Sequence, residues 1–226
     1  MLTRPMDVLE QFPVRKSKKR KRKFRQEAAR LLESYGYTCH EERGSMGAVN
    51  LVAGDPERAK YLITAHYDTC ARMLVPNFIT PCNAAIYLLY QLVLVLGLVG
   101  SASYKKAHPK AIRNQLALNL DCVGDGETIM LFPTGKLKKS PEKLAHLRTC
   151  CGSFGTRRIL LREKGFSVYP SDQYQFPYGV GICALRGKRI LYLSRIHTAK
   201  DTTLNPTNVN ILRAALITLI TCPQGE

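Results

Sequence analysis

Hydrophobic positions fall along this chain in two rhythms. Phe24, Ala28, Leu31, Leu32 and Tyr35 recur at helical spacing with Gly36 as a stop, which predicts an amphipathic helix ending near residue 36. "YTCHEE" and "AVNLVAG" then read as two short strands around a turn at Gly44 to Gly47. "GDPERAK" is turn chemistry, with Asp-Pro supplying the bend. "YLITA", residues 61–65, is a continuous apolar run of the kind buried on both faces of a mostly parallel sheet. A Pro-containing loop leads to "AAIYLLYQLVLVLGLVG", residues 84–100, an apolar helix, and "SASYKKAHP" continues as helix towards Pro109.

The second half repeats the alternation. "LALNLDCVG" and "TIMLF" read as strands, and "SPEKLAHLRTCC" as a helix with Ser at the cap and Pro at its first position. "VGICALRG" and "RILYLS" predict two more strands, and "NPTNVNILRAALITLI" a closing amphipathic helix. Strands alternating with helices make α/β with a layered sheet the natural class. One domain over residues 1–226 is the default for a chain of this length.

Polar residues with metal-binding chemistry stand where strands stop. His66 and Asp68 follow "YLITA", Asp121 closes "LALNL", and His197 comes just after "RILYLS". In open α/β sheets, sites form in the crevice beyond the carboxyl ends of the strands, so these side chains are expected to converge there. A lone His-x-Asp carries little weight; three strand ends offering His, Asp and His carry more.

Charge adds a separate feature. The net charge is +17, and residues 1–30 hold eleven Lys or Arg against three acids. "RKSKKRKRKFR", Arg15 to Arg25, has nine basic residues in eleven. The first expectation is the solvated face of the first helix; an anionic membrane surface is the partner it could also meet. Phe24 is the one aromatic within the run, so no specific nucleic acid is predicted. The eight cysteines show no CxxC spacing and the N-terminus has no apolar signal region, so reduced thiols in a cytoplasmic, membrane-associable protein are expected. The 84–100 helix would span about 25 Å, just under the ~30 Å of a hydrocarbon core, so a core helix and a membrane contact stand even.

The motifs "NLVAGDPERAKYLITAHYDT", "NLDCVGDG", "SDQYQFPYGVGIC" and "RIHTAKDTTLN" together resemble the di-zinc exopeptidases of the aminopeptidase Y and glutamate carboxypeptidase type. The likeness runs from about Arg15 to Ile220 and implies a three-layer α/β/α sandwich around a mixed, mostly parallel sheet. It implies zinc as cofactor, a peptide as substrate, and hydrolysis of N-terminal peptide bonds. By the same resemblance His66 and Asp121 match ligands of one zinc and His197 a ligand of the second. Asp68 matches the aspartate that orients the imidazole within the catalytic site. Asp172 matches the aspartate of a Ser-Asp-His segment, beside the ligands, with Gln173 where a histidine is common. Neutral imidazole and carboxylate suit zinc, and a carboxylate behind the imidazole fixes its tautomer.

One part of the pattern is missing. The family takes a bridging Asp and a Glu-Glu pair from between the positions of Asp68 and Asp121. Here residues 69 to 120 contain no Asp and no Glu. "GLVGSASY" matches the tail of the Glu-Glu segment, but Leu94 and Val95 stand where the glutamates should be, and Cys82 precedes the Asn83 that would follow a bridging Asp. An internal deletion that joins the apolar helix to this tail accounts for the pattern. The family's two zincs therefore reduce to at most one expected here, held by His66, Asp121 and His197. Tyr67 and Cys70 read as bystanders; Asp172 and Asp201 are the carboxylates left to approach. The expectation is a metallo-exopeptidase by descent, weak or inactive in hydrolysis. Its alternatives are a non-catalytic relative that binds a peptide or partner, or a basic membrane-surface protein.

Overall fold

The computed structural model describes residues 4–44, 47–69, 80–88, 114–152, 159–169, 171–193 and 204–222. The chain opens with a short helix α1 (Pro5–Gln11) and the basic helix α2 (Lys18–Ser34). Ser17 caps α2 by accepting a hydrogen bond from the Arg20 amide, and Gly36 ends it at a φ of 89° that side-chain-bearing residues resist. Tyr35, expected on the apolar face, lies past the last helical turn and is exposed. A hairpin follows, β1 (Cys39–Arg43) antiparallel to β2 (Val49–Ala53), in agreement with the two short strands read around Gly44–Gly47.

The main sheet contains β3 (Tyr61–Ala65), β4 (Leu116–Leu120), β5 (Thr128–Pro133), β6 (Ile159–Leu161) and β7 (Gly179–Leu185) in the order β3-β4-β7-β5-β6. Three of its four pairings are parallel, and β5 runs antiparallel to β7. Further helices among the described residues are α3 (Gly135–Lys138), α4 (Pro141–Gly152) and α5 (Pro206–Thr221). Pro sits at the first position of α4 and α5, where its missing N–H costs nothing, and Asn205 caps α5 through the Thr207 amide.

Strand alternation divides the core. Leu116, Leu118, Ile129, Leu131, Val180 and Ile182 face α4 and α5, meeting Leu144, Leu147, Leu212 and Leu219. From the opposite face Met130, Phe132, Cys183 and Leu185 pack against Tyr169 and Leu193, while Ala117 packs with Phe176. The fold is therefore α/β, a mixed and mostly parallel sheet flanked by helices.

Two predicted strands are corrected. "YLITA" does form β3, but at an edge of the described sheet, and Ile63 is 51% exposed rather than buried. An apolar run reports burial on both faces only when a neighbour covers each of them. In the described part of "RILYLS", residues 189–193, Tyr192 pairs with Arg186 in an isolated bridge and Leu193 is a bridge residue too, but no strand forms there; Ser194 lies outside the described residues. Of the 84–100 apolar helix only 84–88 is described, and it is helical; "SASYKKAHP" lies outside the described residues. Among the described residues, no helix is long and apolar enough to cross a membrane.

Candidate functional site

The parallel pairing of β3 with β4 puts Ala65 opposite Leu120, so the residues that follow, His66 and Asp121, leave the sheet side by side at its carboxyl edge. The Asp121 amide still donates to the Ile182 carbonyl of β7, which holds this residue in line as the strand ends. Cys122 then turns the chain at a φ of 56°, an uncommon conformation for a residue with a side chain, and its thiol donates to Asp121 Oδ1 at 3.1 Å.

His66 stands between two carboxylates. Its Nδ1 faces Asp68 Oδ1 at 3.6 Å and its Nε2 faces Asp172 Oδ2 at 3.2 Å. Asp172 comes from the segment after Tyr169, where residues Asp172–Gln175 form a single 3-10 turn. The contact with Asp68 raises the imidazole pKa to about 9 against the cost of burial, with Asp172 and Asp121 adding their negative charge. Asp68 moves the other way, far below the usual carboxylate range, held there chiefly by His66 and also by the Lys21 ammonium at 3.2 Å. The basic helix thus reaches this corner directly.

Asp121 is oriented by a chain of hydrogen bonds through the sheet. Thr64 Oγ1 donates to Asn119 Oδ1 at 2.8 Å, Asn119 Nδ2 donates to Ser171 Oγ at 2.8 Å, and Ser171 Oγ donates to Asp121 Oδ2 at 2.6 Å. Asn119 is fully buried, and the Tyr169 hydroxyl adds a bond to the Asp121 carbonyl. Gln173, which replaces a histidine in the resemblance, is buried as well and donates to the Tyr169 carbonyl. It occupies a cradle that only glycines leave open. A Cβ at Gly179 would fall 2.1 Å from the Gln173 carbonyl oxygen, and one at Gly181 2.8 Å from the Gln173 side chain.

The N-terminal helices brace the same loop. Arg25, only 6% exposed, donates to Glu41 Oε1 at 2.7 Å and to the Tyr67 hydroxyl at 2.9 Å. The Tyr67 ring stacks on Phe24 with centroids 6.0 Å apart. Arg15 donates its backbone amide to Thr69 and its Nε to the Tyr67 carbonyl. Tyr67, read as a bystander, is the anchor through which α2 holds the His66 loop.

A family model, peptidase family M28, matches residues 95–220, more than half of the chain. The chain belongs to peptidase family M28. This M28 segment contains β4, β5, β6 and β7, and with them Asp121, Asp172 and His197, whereas His66 and Asp68 precede it. It opens at Val95, one of the two positions where the glutamates should stand and two residues before "GLVGSASY". No curated protein and no solved structure matches the chain significantly.

M28 peptidases are zinc-dependent, and the donors at this corner suit such an ion in kind: an imidazole with carboxylates at strand ends. Among the described residues, they are enough in number for one ion. The carboxylates acting on His66 are Asp68, Asp121 and Asp172. Asp68 is taken by the back of the imidazole and by Lys21, which leaves Asp121 and Asp172 on the ligand side. His197, Cys70 and Asp201 lie outside the described residues. Among the described residues, the three ligand atoms that come within 4.8 Å of one another belong to His146, Cys150 and Cys222, not to this corner.

Proposed function

We propose that this M28 member is a metallo-exopeptidase by descent, built to hold one zinc ion at His66 and acting on N-terminal peptide bonds weakly or not at all. The observation that carries the reading is the approach of Asp172 Oδ2 to His66 Nε2 at 3.2 Å, beside Asp121 at the carboxyl edge of the sheet. His66, Asp121 and Asp172 would hold the ion, with His197 as the further ligand that the family resemblance adds. Zinc in such a setting polarises a carbonyl and acidifies bound water.

The chain's own residues account for orientation. Asp68 keeps the imidazole turned with Nε2 outward, Lys21 balances the charge of Asp68, and Ser171 fixes one oxygen of Asp121. Among the described residues, the carboxylates acting on His66 are Asp68, Asp121 and Asp172, each already given to orientation or to the ion, so none of them is left for the proton transfers of hydrolysis. The glutamate that serves as base in the resemblance has no counterpart, because residues 69 to 120 hold no acid. A peptide that docks here would be bound and positioned, with little turnover. The six exposed basic residues of the α2 region, Lys16, Lys18, Lys19, Arg20, Arg22 and Lys23, remain the surface for an anionic membrane.

The test is zinc content with and without His66→Ala, measured beside hydrolysis of leucine amide. One His66-dependent zinc with hydrolysis far below that of an intact relative supports the reading. Two His66-dependent zincs, or full hydrolysis, would overturn it.

A further inference from the structure

The opposite end of the sheet carries a second set of metal-binding atoms. His146 and Cys150 are four residues apart on α4, so they share one face of that helix. Cys222 sits at the C-terminal cap of α5, where its amide donates to the Thr218 carbonyl at 2.8 Å, and packing of α4 against α5 brings it to the same place. One imidazole nitrogen and the two sulfurs all lie within 4.8 Å of one another.

The imidazole is held from outside the cluster. His146 Nε2 lies 3.0 Å from the Tyr61 hydroxyl and 3.2 Å from the Leu219 carbonyl oxygen, and its ring is nearly parallel to that of Tyr61. Ligating histidines characteristically make such bonds, which set the ring before a cation arrives. His146 and Cys150 are buried, Cys222 is half-buried, and the surroundings are the aliphatic side chains of α4, α5 and the sheet. Tyr61 begins β3 whereas His66 follows its end, so about 16 Å of strand separates this cluster from the corner described above.

We propose that His146, Cys150 and Cys222 form a structural site for a soft divalent cation, zinc in the first place, that ties α4 to the end of α5. Two thiolates and an imidazole select zinc, cobalt(II) or cadmium over magnesium and calcium. Binding replaces the two thiol protons, which pass to solvent, and no electron is transferred. Three protein ligands leave a fourth position for water. The site is independent of the peptidase reading, because none of its ligands belongs to the His66 corner.

The full-length chain, reduced and kept anaerobic, is titrated with cobalt(II). The proposal expects an intense sulfur-to-cobalt absorption in the near ultraviolet, saturating within two equivalents because the His66 corner can take a second ion, and bleached by two equivalents of zinc. His66→Ala should leave that band unchanged, and Cys222→Ser should reduce it by at least half. Because Cys150 is buried and its replacement could unfold the chain, thiol alkylation of the unmodified protein gives a second measurement. Zinc should slow modification of Cys222 at least tenfold while leaving Cys39 unaffected. A titration without a sulfur-to-cobalt band, a band indifferent to Cys222→Ser, or equal alkylation of Cys222 with and without zinc would overturn the proposal. So would a Cys150–Cys222 disulfide that accounts for the pair while the reduced chain binds no cobalt through sulfur.

Discussion

His66 Nε2 and Asp172 Oδ2 stand 3.2 Å apart, closer than the 3.6 Å between His66 Nδ1 and Asp68. The imidazole therefore bridges two carboxylates, and without a metal it is a cation holding both. Its pKa is raised to about 9, chiefly by Asp68, from an unfolded value near 6.5. A raised pKa of this kind favours the folded state fully below about 6.5, and the contribution disappears as pH rises through 9. Metal-free protein should thus lose urea stability between pH 6.5 and 9 more steeply than His66→Gln. A His66→Gln variant with the same pH slope would remove the bridge from the account.

The buried link through Asn119 predicts a stability effect. Asn119→Ala leaves the half-buried Thr64 hydroxyl without its acceptor and the half-buried Ser171 without its donor, around a side chain that is itself fully buried. The expected loss is about 1–3 kcal/mol in chemical denaturation. Ser171→Ala should cost less in stability yet weaken His66-dependent zinc binding, since it frees the Asp121 oxygen it holds at 2.6 Å. Equal zinc affinity in Ser171→Ala and the parent would show that Asp121 needs no such positioning.

Gly179 and Gly181 allow a sharper comparison. Gly181→Ala would collide with the side chain of Gln173, whereas Gly179→Ala would collide with its backbone. Each should destabilise by about 1–3 kcal/mol. Adding Gln173→Ala should rescue the Gly181 variant and leave the Gly179 variant impaired, a non-additivity that a double-mutant cycle measures directly. Rescue of both, or of neither, would contradict the close approach of this turn to β7.

Arg25 should matter more than its neighbours in the basic run. Arg25→Met removes the donor to Glu41 and Tyr67 but keeps an apolar stem, and Arg25→Lys keeps charge but cannot reach both oxygens. Both variants should lower the thermal midpoint by several degrees, on the order of 1 kcal/mol or more. Arg22→Ala, on the exposed face, should leave it within experimental error. A comparable loss from Arg22→Ala would mean that the whole run, and not Arg25, secures α2.

Which parts of this were legible in the sequence follows from how local each signal is. β4, β7, α4 and α5 are fixed by apolar runs and by caps a few residues away, such as Pro141, Asn205 and Pro206. His66, Asp68 and Asp121 were readable because each stands at the end of such a run. The exposure of Ile63 was not, because an edge position depends on strands distant in sequence. The same holds for Asn119 and Ser171, whose bond crosses 52 residues, and for Lys21, which meets Asp68 across 47. Tyr67 and Arg25 gave no signal in their own segments, since their roles exist only once α2 lies against the His66 loop. The His146, Cys150 and Cys222 cluster was hidden in the same way: its third member is carried by a different helix.

Peptide hydrolysis by the zinc-loaded chain, with the His66-dependent zinc counted in the same preparation, tests the central claim most directly. The account predicts one zinc lost on His66→Ala and leucine-amide turnover far below that of an intact M28 peptidase. Two zincs lost on His66→Ala together with robust turnover would contradict it, because they would require carboxylates that residues 69 to 120 do not contain.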